Sequence, residues 1–571
     1  MLDFTSRPEL LGTQGMAAST HWLASSAAMS VLERGGNAFD AAVAGGLVLH
    51  VVEPHLNGLG GDMPAIAHDQ RTGTTFVVNG QGVAPQAACT EAFLSMGKIP
   101  GSGLLPAVVP GAFGAWLLLL REHGTMRLAE VAEYAIDYAE NGFPLVEQAV
   151  RTITAVSGVF REHWPSSAAI YLPDGEPPAP RGRFRNPDLA RTLRRLVAEG
   201  EAAGNDREAQ LEAARSAFYE GFVAEAIDDF CRTPVWDGTD EAHAGLLTGA
   251  DLAGWRAGTE PPVTGEFAGM TVAKTGPWGQ GPVLLQQLAI LEGMDLQDAA
   301  PGSPELIHAV VEAAKLAFAD REAFYGDPAF VDVPMESLLD HRYAALRRAL
   351  IGETASRELH PGAPGGHQPV LPAQVIAAMA AAGNGRSQAD SAPPAGHSAL
   401  AALGEPTVPR GDTCHIDVVD RWGNAVAATP SGGWLQSSPV VPGLGFALPT
   451  RAQMFWLEPD LPNSVAPGKR PRTTLSPGML LREGKPYLAF GTPGGDQQDQ
   501  WVVPFLINHL VHGMDLQAAI DAPTWHTTHF PSSFYPRQAE PAGVHVESRI
   551  GEGTVVELRR RGHDVHVTGP W

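Results

Sequence analysis

A threonine, a cysteine and a histidine open the stretch "TCHIDVVD" (413–420), directly after a loop rich in Gly, Pro and Ala. A hydroxyl at that place has a chemistry that an ordinary strand threonine lacks. Cutting the Asp412–Thr413 peptide gives Thr413 a free α-amine beside its own hydroxyl. An amine titrating near neutrality accepts the hydroxyl proton, directly or through water. The same hydroxyl can make the cut, attacking the Asp412 carbonyl to form an ester that water then opens. On this stretch alone a structural threonine is the commoner outcome, because β-branched residues suit strands. "GTPGGDQQ" (491–498) is the second run with chemistry in it. Between a strand and a helix, Pro493-Gly494-Gly495 can aim two backbone N–H groups at one point, as an acyl-transfer oxyanion requires. A plain glycine turn is the competing reading.

The elements that must position these residues are mixed. "HWLASSAAMSVLERGG" (21–36) has helical spacing and stops at Gly35-Gly36. Asn37 is a good N-cap for the run that follows to residue 54, which is apolar on nearly all sides and reads as a buried helix. "GTTFVVNG" (73–80) reads as a strand, and helical patterns dominate 125–230 and 303–326. Residues 413–430 form a hairpin about the turn "RWGN" (421–424). "KPYLAF" leads into the glycine loop and a helix, and the chain ends strand–helix–strand. The run 104–120 is greasy but broken by Pro106, Pro110, Gly111 and Gly114, which predicts a buried loop and helix rather than a membrane span. Between 353 and 410 the Ala-, Gly-, Pro- and Ser-rich composition predicts a linker that is flexible at least in part.

Composition excludes some functions. The 571 residues carry 39 basic against 63 acidic side chains, a net charge of −24, which repels nucleic acid and anionic membranes. Three cysteines give neither a disulfide framework nor metal-binding spacing. The first residues show no secretory signal, so a cytoplasmic protein is expected. His526 and His529 stand three apart with no third ligand at metal spacing, and no phosphate-binding glycine loop is present. Neither a metal nor another cofactor is expected.

Several blocks in order resemble the γ-glutamyltranspeptidase family: 33–62, "VVPGAFGAW" (108–116), 308–334, "KRPRTTLSPGML" (469–480), "GTPGG" and 513–526. The resemblance implies an α+β, four-layer αββα sandwich, the N-terminal nucleophile hydrolase fold. It further implies a precursor that cuts itself into a large chain, 1–412, and a small chain, 413–571, together one globular αβ heterodimer. A dimer of heterodimers is left open. Thr413 is then the nucleophile, Gly494 and Gly495 form the oxyanion hole, and Thr429 and Ser431 support the nucleophile. His415, two residues on, faces the same way and either tunes the amine or packs in the core; Cys414 faces the other way as a small buried hydrophobe.

The substrate pocket departs from that family. Its carboxylate-binding Arg is replaced by Gln81, with Gly82 at the following Glu, and a neutral amide cannot replace a guanidinium fork. In "QMFWL", after Gln453, Phe455 and Trp456 stand at the two Asp positions; Thr473-Thr474 replaces Ser-Ser, and Gly433 replaces an Asn. Asp62 stands at a Gly, and "GPWGQG" (276–281) replaces another loop. Arg451 or Arg472 is the alternative source of the missing cation. The expectation is an amide hydrolase or acyltransferase acting on a small molecule, with a flatter or more apolar acyl group than γ-glutamyl. The alternatives are a true γ-glutamyl enzyme with a rearranged pocket, a hydrolase of C–C bonds, and a non-catalytic ligand binder.

Overall fold

The computed structural model describes residues 5–383, 413–535 and 537–571. Two sheets stack face to face, with helices on both outer sides. The first sheet has the order Gly15–Ser19, Ile416–Asp420, Ala425–Ala428, Ala65–Asp69, Thr74–Asn79, Gly258–Glu260. The second runs Lys485–Phe490, Gly478–Arg482, Met270–Lys274, Val263–Phe267. Every pairing in both sheets is antiparallel. Ile66, Val77 and Ala425 of the first sheet pack with Ala273, Met479 and Leu481 of the second, so the sheets meet through their own alternate residues. Helices Trp22–Glu33 and Ala38–Val52 cover the first sheet; Gly281–Glu292 and Gln498–Leu510 cover the second. The result is the four-layer αββα arrangement.

Local sequence explains the element that supports Thr413. Asn37 accepts hydrogen bonds from the backbone of Phe39 and Asp40, while Asp40 bonds back to Asn37, closing a capping box. Every residue of the helix Ala38–Val52 is buried. At Gly45 a Cβ would collide with Ile416, and at Gly46 with Trp116, so glycine lets this helix press directly on the strand that follows Thr413. The Ala38 N–H donates to Asp420 Oδ2 (2.9 Å), pinning the helix start to the far end of that strand.

The run 104–120 divides as expected, into a buried loop and the helix Ala112–His123. Among the described residues no helix is long and apolar enough to cross a membrane. Within the predicted linker, 353–383 is built rather than loose. It carries the helix Ala373–Gly383, whose Val375 packs on Trp456 and Leu461 with Met379 alongside. The residues that follow, to 412, lie outside the described ones.

Candidate active site

Thr413 sits just before the strand Ile416–Asp420 and is fully buried. It forms a β-bridge with Ser431, and the Cys414 N–H donates to the Pro430 carbonyl at 2.9 Å. Thr413 Oγ1 and Ser431 Oγ lie 3.3 Å apart. Ser431 in turn exchanges backbone bonds with Asp62 at 3.0 and 2.7 Å, which draws the 57–62 loop onto the hairpin. Asp412 lies outside the described residues.

Ser431 also meets a cation. Arg451 Nη2 donates to Ser431 Oγ (2.7 Å), and its Nε donates to Asp62 Oδ2 (2.7 Å). Arg451 and Asp62 are both fully excluded from solvent, and the guanidinium lies over the Trp434 ring at 4.7 Å. Burial pushes the Asp62 carboxyl above its usual range, and Arg451 opposes that rise. Ser431 Oγ thus stands between the Arg451 guanidinium and Thr413 Oγ1. The second arginine considered, Arg472, is committed elsewhere, its Nη2 donating to both Glu322 carboxylate oxygens at 2.9 and 2.7 Å.

His415 is held at both nitrogens, by Thr429 Oγ1 (3.0 Å) and Asp417 Oδ1 (2.9 Å). Thr429 therefore reaches His415 through its hydroxyl, and Ser431 is the hydroxyl beside Thr413. A Cβ on Gly491 would strike the His415 ring, so the glycine loop lies against the strand that begins at Thr413. In that loop Gly494 has φ +125° and Gly495 φ +54°. Gly495 begins a short 3₁₀ turn that runs into the helix Gln498–Leu510. The loop thus presents backbone N–H groups at the positive end of a helix, where an oxyanion is stabilised. The Trp501 ring lies where a Gly494 side chain would project.

Several sequence expectations change. Cys414 is more than a small hydrophobe: its thiol donates to Glu53 Oε2 (3.0 Å) and accepts from Asn57 Nδ2 (3.0 Å). Burial, with Glu53 beside it, holds the thiol well above its usual pKa. Alternation along a strand placed Cys414 on the opposite face correctly, but nothing local announced the polar groups there. Phe455 and Trp456, expected to line the substrate pocket, are both buried, as Thr413 is. Phe455 belongs to a cluster with Ala84, Phe93 and Val108. Trp456 packs on Val375 under the Arg537 guanidinium, 3.9 Å above its ring. Arg537 also donates to the Gln453 and Phe455 carbonyls, tying down this segment.

The remaining predicted residues are placed as follows. Gln81 Nε2 approaches Asp62 Oδ1 at 3.3 Å, and its Oε1 has no partner among the described residues. Gln453 donates to Gly101 and Thr450. The Thr473 N–H donates to the Trp278 carbonyl (2.9 Å) in the "GPWGQG" loop, and the buried Thr474 hydroxyl has no partner among the described residues. Gly433, at φ +68°, packs against Gly61 and Ala447. A groove of about 600 Å³ is lined by Gln81, Arg256, Glu260 and Arg470 among others. Arg451 and Asp62 are the pair that sequence spacing could not join, being 389 positions apart.

Two facing sheets between helical layers, with a hydroxyl at a strand start and a glycine loop beside it, define the N-terminal nucleophile hydrolase class. The chain matches the Gamma-glutamyltranspeptidase family model over residues 24–570 and belongs to that family. It is 33% identical to the glutathione hydrolase-like YwrD proenzyme of Bacillus subtilis, over 98% of this chain and 93% of that one. The solved structure of LmbA2991HD superposes with a TM-score of 0.91 at 52% identity, covering 100% of this chain and 94% of that one. The cephalosporin acylase from Bacillus halodurans does so with a TM-score of 0.80 at 29% identity, covering 100% and 92%. The protein is an amide-cleaving enzyme of this family, made as a proenzyme.

Proposed function

We propose that the chain cuts itself between Asp412 and Thr413, and that Thr413 then attacks amides of small molecules whose acyl group carries no zwitterion. In processing, Thr413 Oγ1 adds to the Asp412 carbonyl and displaces the Thr413 nitrogen to leave an ester, which water cleaves. In turnover the freed α-amine takes the hydroxyl proton as Oγ1 adds to the substrate carbonyl. Gly494 and Gly495 N–H groups hold the oxyanion, and Ser431 donates to Thr413 Oγ1 with Arg451 fixing its direction. Collapse expels the amine, protonated by the α-ammonium, and water or another amine resolves the acyl-enzyme.

One observation carries the specificity. Arg451, the guanidinium that reaches Ser431 beside Thr413, is already neutralised by Asp62 at 2.7 Å, both groups being fully buried. A substrate carboxylate arriving there meets a closed ion pair rather than a free cation. No acid stands at 455 or 456 to receive an α-ammonium. The test compares kcat/KM for a γ-glutamyl anilide with uncharged acyl anilides of similar size. Higher values for the uncharged compounds, all abolished by Thr413→Ala, support the reading. A preference for the γ-glutamyl compound refutes it.

A further inference from the structure

The small sheet near the C-terminus places three histidines side by side. Trp525–Thr527 pairs antiparallel with Gly543–Val546, which pairs parallel with Asp564–Val567. The registers set His526 opposite His545 and His545 opposite His566, so all three rings project from one face. The rings stack, at 5.0 Å between His526 and His545 and 4.8 Å between His545 and His566. The row runs from the buried His526 outward to the exposed His566. Glu540 reaches the same face: its Oε2 lies 3.4 Å from His545 Nε2 and accepts from the Thr528 hydroxyl at 2.6 Å.

We propose that His545, His566 and Glu540 bind one borderline divalent transition-metal cation, such as Zn²⁺ or Ni²⁺. Ligand atoms of all three lie within 4.8 Å of one another. Tetrahedral bonds of about 2.1 Å need ligand atoms about 3.4 Å apart, a contraction that the exposed Glu540 and His566 side chains make by turning toward the half-buried His545. Two imidazoles and a carboxylate are a donor set that such ions prefer over Mg²⁺ or Ca²⁺. Thr528 supplies the outer hydrogen bond that holds a ligating carboxylate in place.

A second cluster, His308, Glu312 and His563, sharpens the argument by contrast. There the Lys315 ammonium already lies 2.6 Å from Glu312, and His308 and His563 hydrogen-bond each other at 2.8 Å. That site carries its own cation. Glu540, by contrast, pairs with His545 Nε2 at 3.4 Å, an imidazole that can itself serve as a ligand. Nearest-neighbour spacing along the chain missed the exposed site, because sheet register assembles it.

The test uses processed protein without a histidine tag, stripped with EDTA and titrated with Zn²⁺ by calorimetry. A single equivalent binds, Zn²⁺ raises Tm by a few degrees, and His566→Gln or Glu540→Gln weakens binding at least tenfold. Both variants sit on exposed positions, so their folding is checked by an unchanged metal-free Tm. Absence of Zn²⁺ binding in the titration, or binding by both variants as tight as the parent's, overturns the site.

Discussion

Replacing Arg451 by methionine leaves the Asp62 carboxylate buried without its partner, and the cost follows from the geometry. The pair is fully excluded from solvent at 2.7 Å. Removing one member of such a pair costs about 3–5 kcal/mol. The alternative for Asp62 is to take a proton. At pH 7, neutralising a carboxyl whose unfolded pKa is about 4 costs about three units of 1.36 kcal/mol, or roughly 4 kcal/mol. The two routes agree, and the second carries a pH signature. In the variant the folded-state pKa of Asp62 is raised, so the penalty is fully present near neutrality and fades as pH falls toward the unfolded value. The difference from the parent therefore shrinks between pH 7 and 5, because Arg451 opposes the rise in the parent and nothing opposes it in the variant. Measurement belongs in the uncut Thr413→Ala background, where processing cannot confound unfolding. Urea melts followed by tryptophan fluorescence then compare parent, Arg451→Met, Asp62→Asn and the double variant. The double variant recovers most of the loss and shows a flat difference with pH. An additive cycle, or a penalty of Arg451→Met that does not change with pH, refutes the reasoning.

Further outcomes are expected. Thr413→Ala leaves a single band on denaturing gels, whereas the parent gives two, the smaller with the N-terminal sequence TCHIDVV; a cut Thr413→Ala chain contradicts self-processing. Gly494→Ala lowers kcat by about 10²-fold or more, because φ +125° and the Trp501 ring both oppose a side chain; wild-type turnover in that variant removes the loop from the mechanism. His50, His55 and His563 are each pushed by burial down to about 3. Their folded pKa values lie below the unfolded 6.5, so their contribution is present above pH 6.5 and is lost as pH falls. The three together steepen acid destabilisation toward about 4 kcal/mol per pH unit below pH 6, and a flat stability curve between pH 7 and 5 counts against their being neutral.

The parts legible in the sequence were those whose physics is local. The Asn37 cap, the hairpin about 421–424 and the glycine loop before the helix Gln498–Leu510 each follow from neighbouring residues. Arg451 was legible only as one of two alternatives, because its partner Asp62 comes from the other end of the chain. Phe455 and Trp456 read as pocket residues since position, not packing, was the signal available. The helix Ala373–Gly383 was hidden by its Ala-rich, Gly- and Pro-flanked composition, although Val375 and Met379 stand at helical spacing and meet Trp456. Cys414 and Glu53 lie 361 positions apart, beyond any periodicity argument.

The weave of the first sheet has a consequence for the life of the mature enzyme. The strand after Thr413 lies between Gly15–Ser19 on one side and Ala425–Ala428 on the other, and the latter is flanked by Ala65–Asp69. A second seam joins Gly478–Arg482 to Met270–Lys274. The two products of the proposed cut would share both sheets, so parting them means dismantling both. Maturation would then act as a one-way ratchet: dilution alone would not separate the fragments.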